Sequence, residues 1–138
     1  MPGTTKYITL EDAKKAMAAA EEEARKNSWN VAIAILDAGG NLILFQKMDD
    51  TQLGSVNIAV GKGRTAVNFK RPTKALEDLV SGGRQVFIAL EGITPLQGGL
   101  PVMTGGKLIG GVGVSGVLSS QDEQVAQAAV GVLESLMR

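Results

Sequence analysis

The chain has 138 residues, of which 44% are apolar, 20% are charged, and 14 are basic against 14 acidic. That length makes one domain able to bury a core, and the balanced charge, free of like-charged runs, excludes the electrostatic footprint of a nucleic-acid or membrane-surface binder. With no cysteine and no histidine, disulfides, thiolate catalysis and Cys-based metal sites are excluded, and the usual acid–base group and commonest metal ligand are missing.

No metal site is expected. No stretch reaches about 18 uninterrupted apolar residues, and the N-terminal stretch lacks a signal peptide's apolar core, so the expectation is a cytoplasmic protein.

Met1 to Tyr7 reads as a short polar arm. Thr9-Leu10-Glu11-Asp12 is a capping box, in which hydroxyl and carboxylate satisfy free N–H groups at a helix start. Leu10, Ala13, Met17, Ala20 and Ala24 then form one apolar stripe on a helix ending near Asn27. Lys14, Lys15, Glu22 and Arg25 make the solvated face. Trp29 plugs the core ahead of a buried strand, Val31 to Leu36. On it, Val31, Ile33 and Ile35 share one face, and Ala32, Ala34 and Leu36 the other. Asp37-Ala38-Gly39-Gly40-Asn41 turns the chain back into a second strand, Leu42 to Met48.

Gln52 to Phe69 reads as a helix, with Ser55, Ala59, Lys62, Ala66 and Phe69 along one face. Gly61 and Gly63 each cost about 1 kcal/mol in a helix interior relative to alanine, which points to a tight crossing or a ligand at that surface. Ser55 and Lys62 are seven residues apart and point nearly the same way. Lys62 then either holds an anionic group or reaches solvent. Pro72 stops this helix, and Thr73 is placed to cap a short one, Lys74 to Val80, closed by Gly82-Gly83. Val86 to Leu90 is a strand or a lid over the core.

Gly98 to Gly116 holds eight of the 18 glycines. Leu100 to Met103 and Leu108 to Val114 flank Thr104-Gly105-Gly106-Lys107, a hairpin signal. Alternation sends Ile109, Gly111 and Gly113 one way, and Leu108, Gly110, Val112 and Val114 the other. Bare glycines on a strand face leave a groove or admit another backbone. A last helix begins at a second capping box, Ser119-Ser120-Gln121-Asp122, with a stripe of Val125, Ala128, Ala129, Val132 and Leu136. Helices gathered with an antiparallel sheet make an α+β fold of one domain spanning residues 1–138.

Three groups of residues together resemble the GlcG-like family. They are Met48-Asp49-Asp50 with Ser55, Ala59, Lys62, Thr65 and Ala66; Arg71-Pro72-Thr73; and Gly98-Gly99-Leu100-Pro101-Val102 with Gly110, Gly113-Val114-Ser115-Gly116 and Asp122-Glu123. This family includes haem-binding and haem-degrading proteins and is similar to the C-terminal domain of propanediol-utilisation cobalamin adenosyltransferases. The resemblance runs from about Thr9 to Met137. It implies profilin-like or PAS-like α/β/α layers around a five-stranded antiparallel sheet, a homo-oligomer of four to eight chains, and haem as a possible cofactor. Without histidine, a haem iron here needs a Met, Tyr, Lys or hydroxyl ligand.

The chemistry left to the chain is narrow. Asp49, Asp50, Lys62, Glu91 and Asp122 are the acid–base candidates, and Ser55, Thr65 and Ser115 the nucleophile candidates. Ser115-Gly116 precedes a helix start, where backbone N–H groups receive a carboxylate or phosphate. Alternatively, Asp122 caps that helix internally and nothing binds.

The expected ligand site is Ser55, Lys62, Gly98, Gly99, Ser115 and Gly116. Asp49 and Lys62 form the catalytic pair if there is turnover, and Lys62 is dispensable for folding. Three functions fit. The first is a small-molecule-binding accessory protein of a catabolic pathway, holding an organic acid or flat cofactor in a glycine-lined pocket. The second is a lyase, isomerase or hydrolase acting on a small carboxylated metabolite, and the third is a haem-binding or haem-degrading protein. The expected partners are a small-molecule ligand and further copies of the chain, with neither nucleic acid nor membrane.

Overall fold

A computed structural model describes residues 6–137, so the first five residues of the polar arm and Arg138 lie outside the described residues. The elements are α1 (Leu10–Lys26), β1 (Ala32–Asp37), β2 (Leu42–Lys47), α2 (Ser55–Phe69), α3 (Thr73–Ser81), a 3-10 helix (Gln85–Ala89), β3 (Gly99–Thr104), β4 (Lys107–Ser115) and α4 (Ser119–Leu136). The strands form one antiparallel sheet in the order β2-β1-β4-β3.

The Thr9 box forms as the sequence requires. Thr9 Oγ1 accepts from the Asp12 N–H at 3.0 Å, and Asp12 Oδ2 from the Thr9 N–H at 3.1 Å. Ala13, Ala16, Met17, Ala20 and Ala24 of α1 are buried. Leu10, in the first turn, is half exposed, and Ala16 takes its place on the stripe.

Helices cover both faces of the sheet. Ile33, Ile35, Val112 and Val114 join one core with the apolar faces of α1 and α4. Ala32, Ala34 and Leu36 face Ala59 of α2 on the other side. Both hairpins close on glycine: Gly105 and Gly106 sit at φ of 54° and 78°, the positive values that a two-residue hairpin turn requires.

Among the described residues the sheet has four strands rather than five. The run from Val86 to Leu90 is mostly 3-10 helix, and four of its five residues are exposed, with Phe87 half-buried, so it does not form a strand or a buried lid over the core. The outer edge of β3 explains why no strand adds there. The Gly99 N–H donates to Thr73 Oγ1 at 2.9 Å, Pro101 has no N–H, and the Met103 N–H donates to Glu134 Oε2 at 3.2 Å. An edge with its donors already used offers no ladder to a fifth strand. Thr73 is therefore not the cap of α3; its hydroxyl serves β3, and Pro72 precedes the helix.

Two further expectations shift. The pairing of β3 with β4 slips between Val102 and Met103, which leaves Ile109 unpaired. Ile109 consequently joins the core containing Val112 and Val114 instead of facing α2 with Gly111 and Gly113. At α4, Leu118 is the N-cap residue, and its N–H donates to Gln121 Oε1 at 3.3 Å. The buried face is Asp122, Val125, Ala126, Ala129 and Leu133, while Leu136 is exposed.

Candidate functional site

The glycines of β4 bring α2 onto the sheet. A Cβ on Gly113 would run into the Ala59 carbonyl and the Gly63 amide, and one on Gly111 would meet the Gly63 carbonyl at 2.9 Å. The bare strand face is filled by the backbone of α2, and the expected glycine-lined pocket is replaced by a close helix–sheet crossing. Gly63 belongs to the same crossing, which accounts for its place inside a helix.

This crossing lays Lys62 along the sheet instead of toward solvent. Lys62 and Asp122 are each 2% exposed. Lys62 Nζ donates to the Val114 carbonyl at 2.9 Å and to Asp122 Oδ2 at 3.0 Å. The other carboxylate oxygen, Oδ1, accepts from the Val117 N–H at 3.1 Å. Burial pushes the Asp122 carboxyl above its usual range, opposed by the Lys62 charge and the Val117 hydrogen bond. A buried lysine held this way is packed into the fold, and removing one partner of such a pair is expected to cost stability.

The other expected residues divide. Ser115 Oγ donates to Ser55 Oγ at 3.1 Å, and both side chains are buried. Gly98 is packed against the pair, since a Cβ there would stand 2.8 Å from Lys62 Nζ. Gly99 faces the Lys62 backbone. Gly116 instead packs on Asn30 and Val31, ahead of β1. Ser55, Lys62, Gly98, Gly99 and Ser115 thus converge in a buried, closely packed cluster. Asp49 sits on the exposed turn after β2 and, among the described residues, has no hydrogen-bond or ion-pair partner. Among the described residues, no hydrogen bond or ion pair joins it to Lys62.

Open space lies elsewhere. Because β1 and β4 are antiparallel neighbours, with Asp37 opposite Gly110, the β1–β2 turn stands beside the start of β4. Between this turn, the β3–β4 turn and the arm lies a cleft of about 490 Å3. Ala38, Leu108 and Ile109 give it apolar walls, and Tyr7, Asn41 and Lys107 line it with polar groups.

Two of its charged lining groups are committed. Lys6 Nζ donates to the Met137 carbonyl, and Asp37 Oδ1 accepts from the N–H groups of Gly39 and Asn41, each at 2.9 Å. Among the described residues, the Tyr7 hydroxyl and the Lys107 ammonium have no partner, and Tyr7 is 69% exposed. Sequence reasoning missed this cleft because no single stretch carries it. The available signal was a pair of glycine turns, each between strands, with an aromatic residue in the arm.

Comparison with known proteins gives the family. The HbpS-like family, described as haem degrading protein HbpS-like, matches residues 8–131. The chain is a member of the HbpS-like family. Among HbpS-like relatives, protein GlcG of Escherichia coli K12 is 43% identical over 112 residues, covering 81% of this chain and 84% of GlcG. A double mutant of HbpS from Streptomyces reticuli superposes with a TM-score of 0.87 at 33% identity, covering 96% of this chain and 90% of that one. A structure of a PduOC–haem complex superposes with a TM-score of 0.83 at 31% identity, covering 92% and 95% of the two chains. Among the described residues of this HbpS-like chain, no helix is long and apolar enough to cross a membrane, and no cluster of three or more acidic side chains is arranged to hold a metal ion.

Proposed function

We propose that this protein is a non-catalytic binder that holds a flat, carboxylated cofactor of the haem type in the cleft between its two hairpin turns. The observation that carries the reading is a contrast within the molecule. The Lys62 cluster is closed on itself. The cleft joins apolar walls to a phenol and an ammonium that lack partners among the described residues. Binding sites combine an apolar enclosure with a few convergent polar groups in this way. The haem-bound PduOC relative supports haem as the ligand class.

The donor set fits haem in a restricted way. With no histidine or cysteine in the sequence, the cleft offers the Tyr7 phenol, the Lys6 and Lys107 ammonium groups and the Thr104 hydroxyl, and of these the Tyr7 phenol is taken here as the iron ligand, since tyrosine ligates haem iron elsewhere. Lys107 would face a propionate, and Leu108 and Ile109 the apolar ring. Hemin titrated into the protein should then saturate at one per chain with a high-spin spectrum, and Tyr7→Phe should weaken binding about tenfold or more, the loss for one charged contact. A linear, unsaturable response, or Tyr7→Phe binding as the parent does, contradicts this.

A second reading has its own supporting observation, the convergence of Ser55, Lys62, Gly98, Gly99 and Ser115. An organic acid bound there, with or without turnover, requires Asp122 to release Lys62. It therefore predicts that Asp122→Asn tightens binding of a small carboxylate in a thermal-shift screen. We read the chain in addition as a homo-oligomer, supported by the apolar side chains that it exposes.

A further inference from the structure

The arm before α1 is pinned on both sides of Tyr7. On one side, Ile8 is 4% exposed and belongs to the core that α1 and α4 cover. It seats on β4 where Gly110 has no side chain, since a Cβ on Gly110 would stand 2.6 Å from Ile8 Cδ1. On the other side, Lys6 Nζ donates to the Met137 carbonyl. Met137 is the C-cap of α4, and the last turn of that helix contains no basic residue. The arm therefore brings a cation to a helix C-terminus, where carbonyls without intrahelical partners and the negative end of the dipole favour one.

Tyr7 stands between the two pins. It lines the cleft, is 69% exposed, and its hydroxyl has no partner among the described residues. The seat at Ile8 and the tie at Lys6 thus decide where its backbone lies. The same Met137 carbonyl accepts from Thr104 Oγ1 at 3.5 Å, and Thr104 lines the cleft from the β3–β4 hairpin. The end of α4 holds together the arm and one hairpin, two of the walls between which a ligand would lie.

We propose that Lys6 is a positioning residue and the arm a strap: the Lys6–Met137 tie holds Tyr7 at the cleft before any ligand arrives. The proposal rests on reading the cleft as the ligand site and names how the arm completes it. A segment already ordered loses less freedom on binding, so the tie raises affinity without touching the ligand.

The test uses the full chain as parent, Lys6→Met, Lys6→Arg, Tyr7→Phe and Lys6→Met/Tyr7→Phe, with hemin as the probe. Both positions are exposed, and each variant should keep the parent's melting temperature. Without ligand, the heteronuclear nuclear Overhauser effect of the Tyr7 amide should fall in Lys6→Met. It should hold in Lys6→Arg, whose guanidinium donates to the same carbonyl. With hemin, Lys6→Met should raise the Kd about three- to tenfold, the scale of ordering one flexible side chain on binding, and Lys6→Arg should not. In the Tyr7→Phe background, Lys6→Met should change nothing further, because the tie acts through Tyr7.

A Tyr7 amide as rigid in Lys6→Met as in the parent overturns the tie, whether or not hemin binds. A parent Kd retained in Lys6→Met, with Tyr7→Phe still weakening binding, overturns the strap and leaves the cleft as the ligand site. An equal loss from Lys6→Met in both backgrounds makes Lys6 a ligand contact and overturns its positioning role. Hemin that does not saturate, or that binds Tyr7→Phe as it binds the parent, overturns the reading of the site and the strap's part in binding with it.

Discussion

Replacing Lys62 with methionine tests whether the buried pair is a structural element. Methionine keeps the length and apolar body of the side chain and removes the ammonium. Asp122, itself 2% exposed, is left without its cation and retains the Val117 N–H alone. Removing one partner of a buried pair costs about 3–5 kcal/mol, because the remaining charge stays desolvated. For a domain of this size that lowers the melting temperature by about 10–15 °C.

The loss should be partly recovered in Lys62→Met/Asp122→Asn, where no charge is buried and the amide oxygen can still accept from Val117. It should also shrink in acid, because Asp122 without Lys62 takes up a proton even more readily. Urea unfolding followed by circular dichroism gives the numbers. Lys62→Met within about 0.5 kcal/mol of the parent, the range of ordinary surface substitutions, would refute the reasoning and return Lys62 to service as a ligand group.

Other outcomes follow from the same geometry. Gly113→Ala should cost about 3 kcal/mol or more, since its Cβ meets backbone that cannot rotate aside, while Gly131→Ala, with nothing nearby, should gain about 0.5–1 kcal/mol; equal stabilities in urea would contradict the close crossing. Asp122 titrates in the folded state above its ordinary 3.8. Its contribution is therefore fully present below that value and is lost as pH rises through the raised one, so the parent should lose stability relative to Asp122→Asn over that window. A gain with rising pH reverses the sign and the argument. Bound hemin should stay high-spin, because no histidine or cysteine is available; a sharp low-spin spectrum at one haem per chain would show a ligand pair unforeseen here.

Much of the architecture was legible because local chemistry and tertiary packing agree. The Thr9 box, the alternation along β1 and the Gly105-Gly106 turn each specify their own conformation, and the structure contains all three. The 86–90 run was not legible, since its failure to pair depends on Thr73 and Glu134 consuming donors of β3 from elsewhere in the chain. Ile109 was misassigned because a slipped register cannot be seen in alternation alone.

Spacing correctly grouped Ser55 with Lys62. It could not reveal that Asp122 closes on Lys62, nor that α2 fills the space left by Gly111 and Gly113. The cleft depends on two turns that become neighbours only once β1 pairs with β4.

The location of the ligand is the central claim, and ferric haem reports it directly, because its unpaired electrons broaden nearby amide resonances. In a nitrogen–proton correlation spectrum of the labelled protein with substoichiometric hemin, the account predicts selective loss of Tyr7, Gly39, Gly105 and Leu108 signals, with Gly98, Gly113 and Ser115 unaffected. Loss of Gly98, Gly113 and Ser115 with the hairpin-turn signals intact would contradict it.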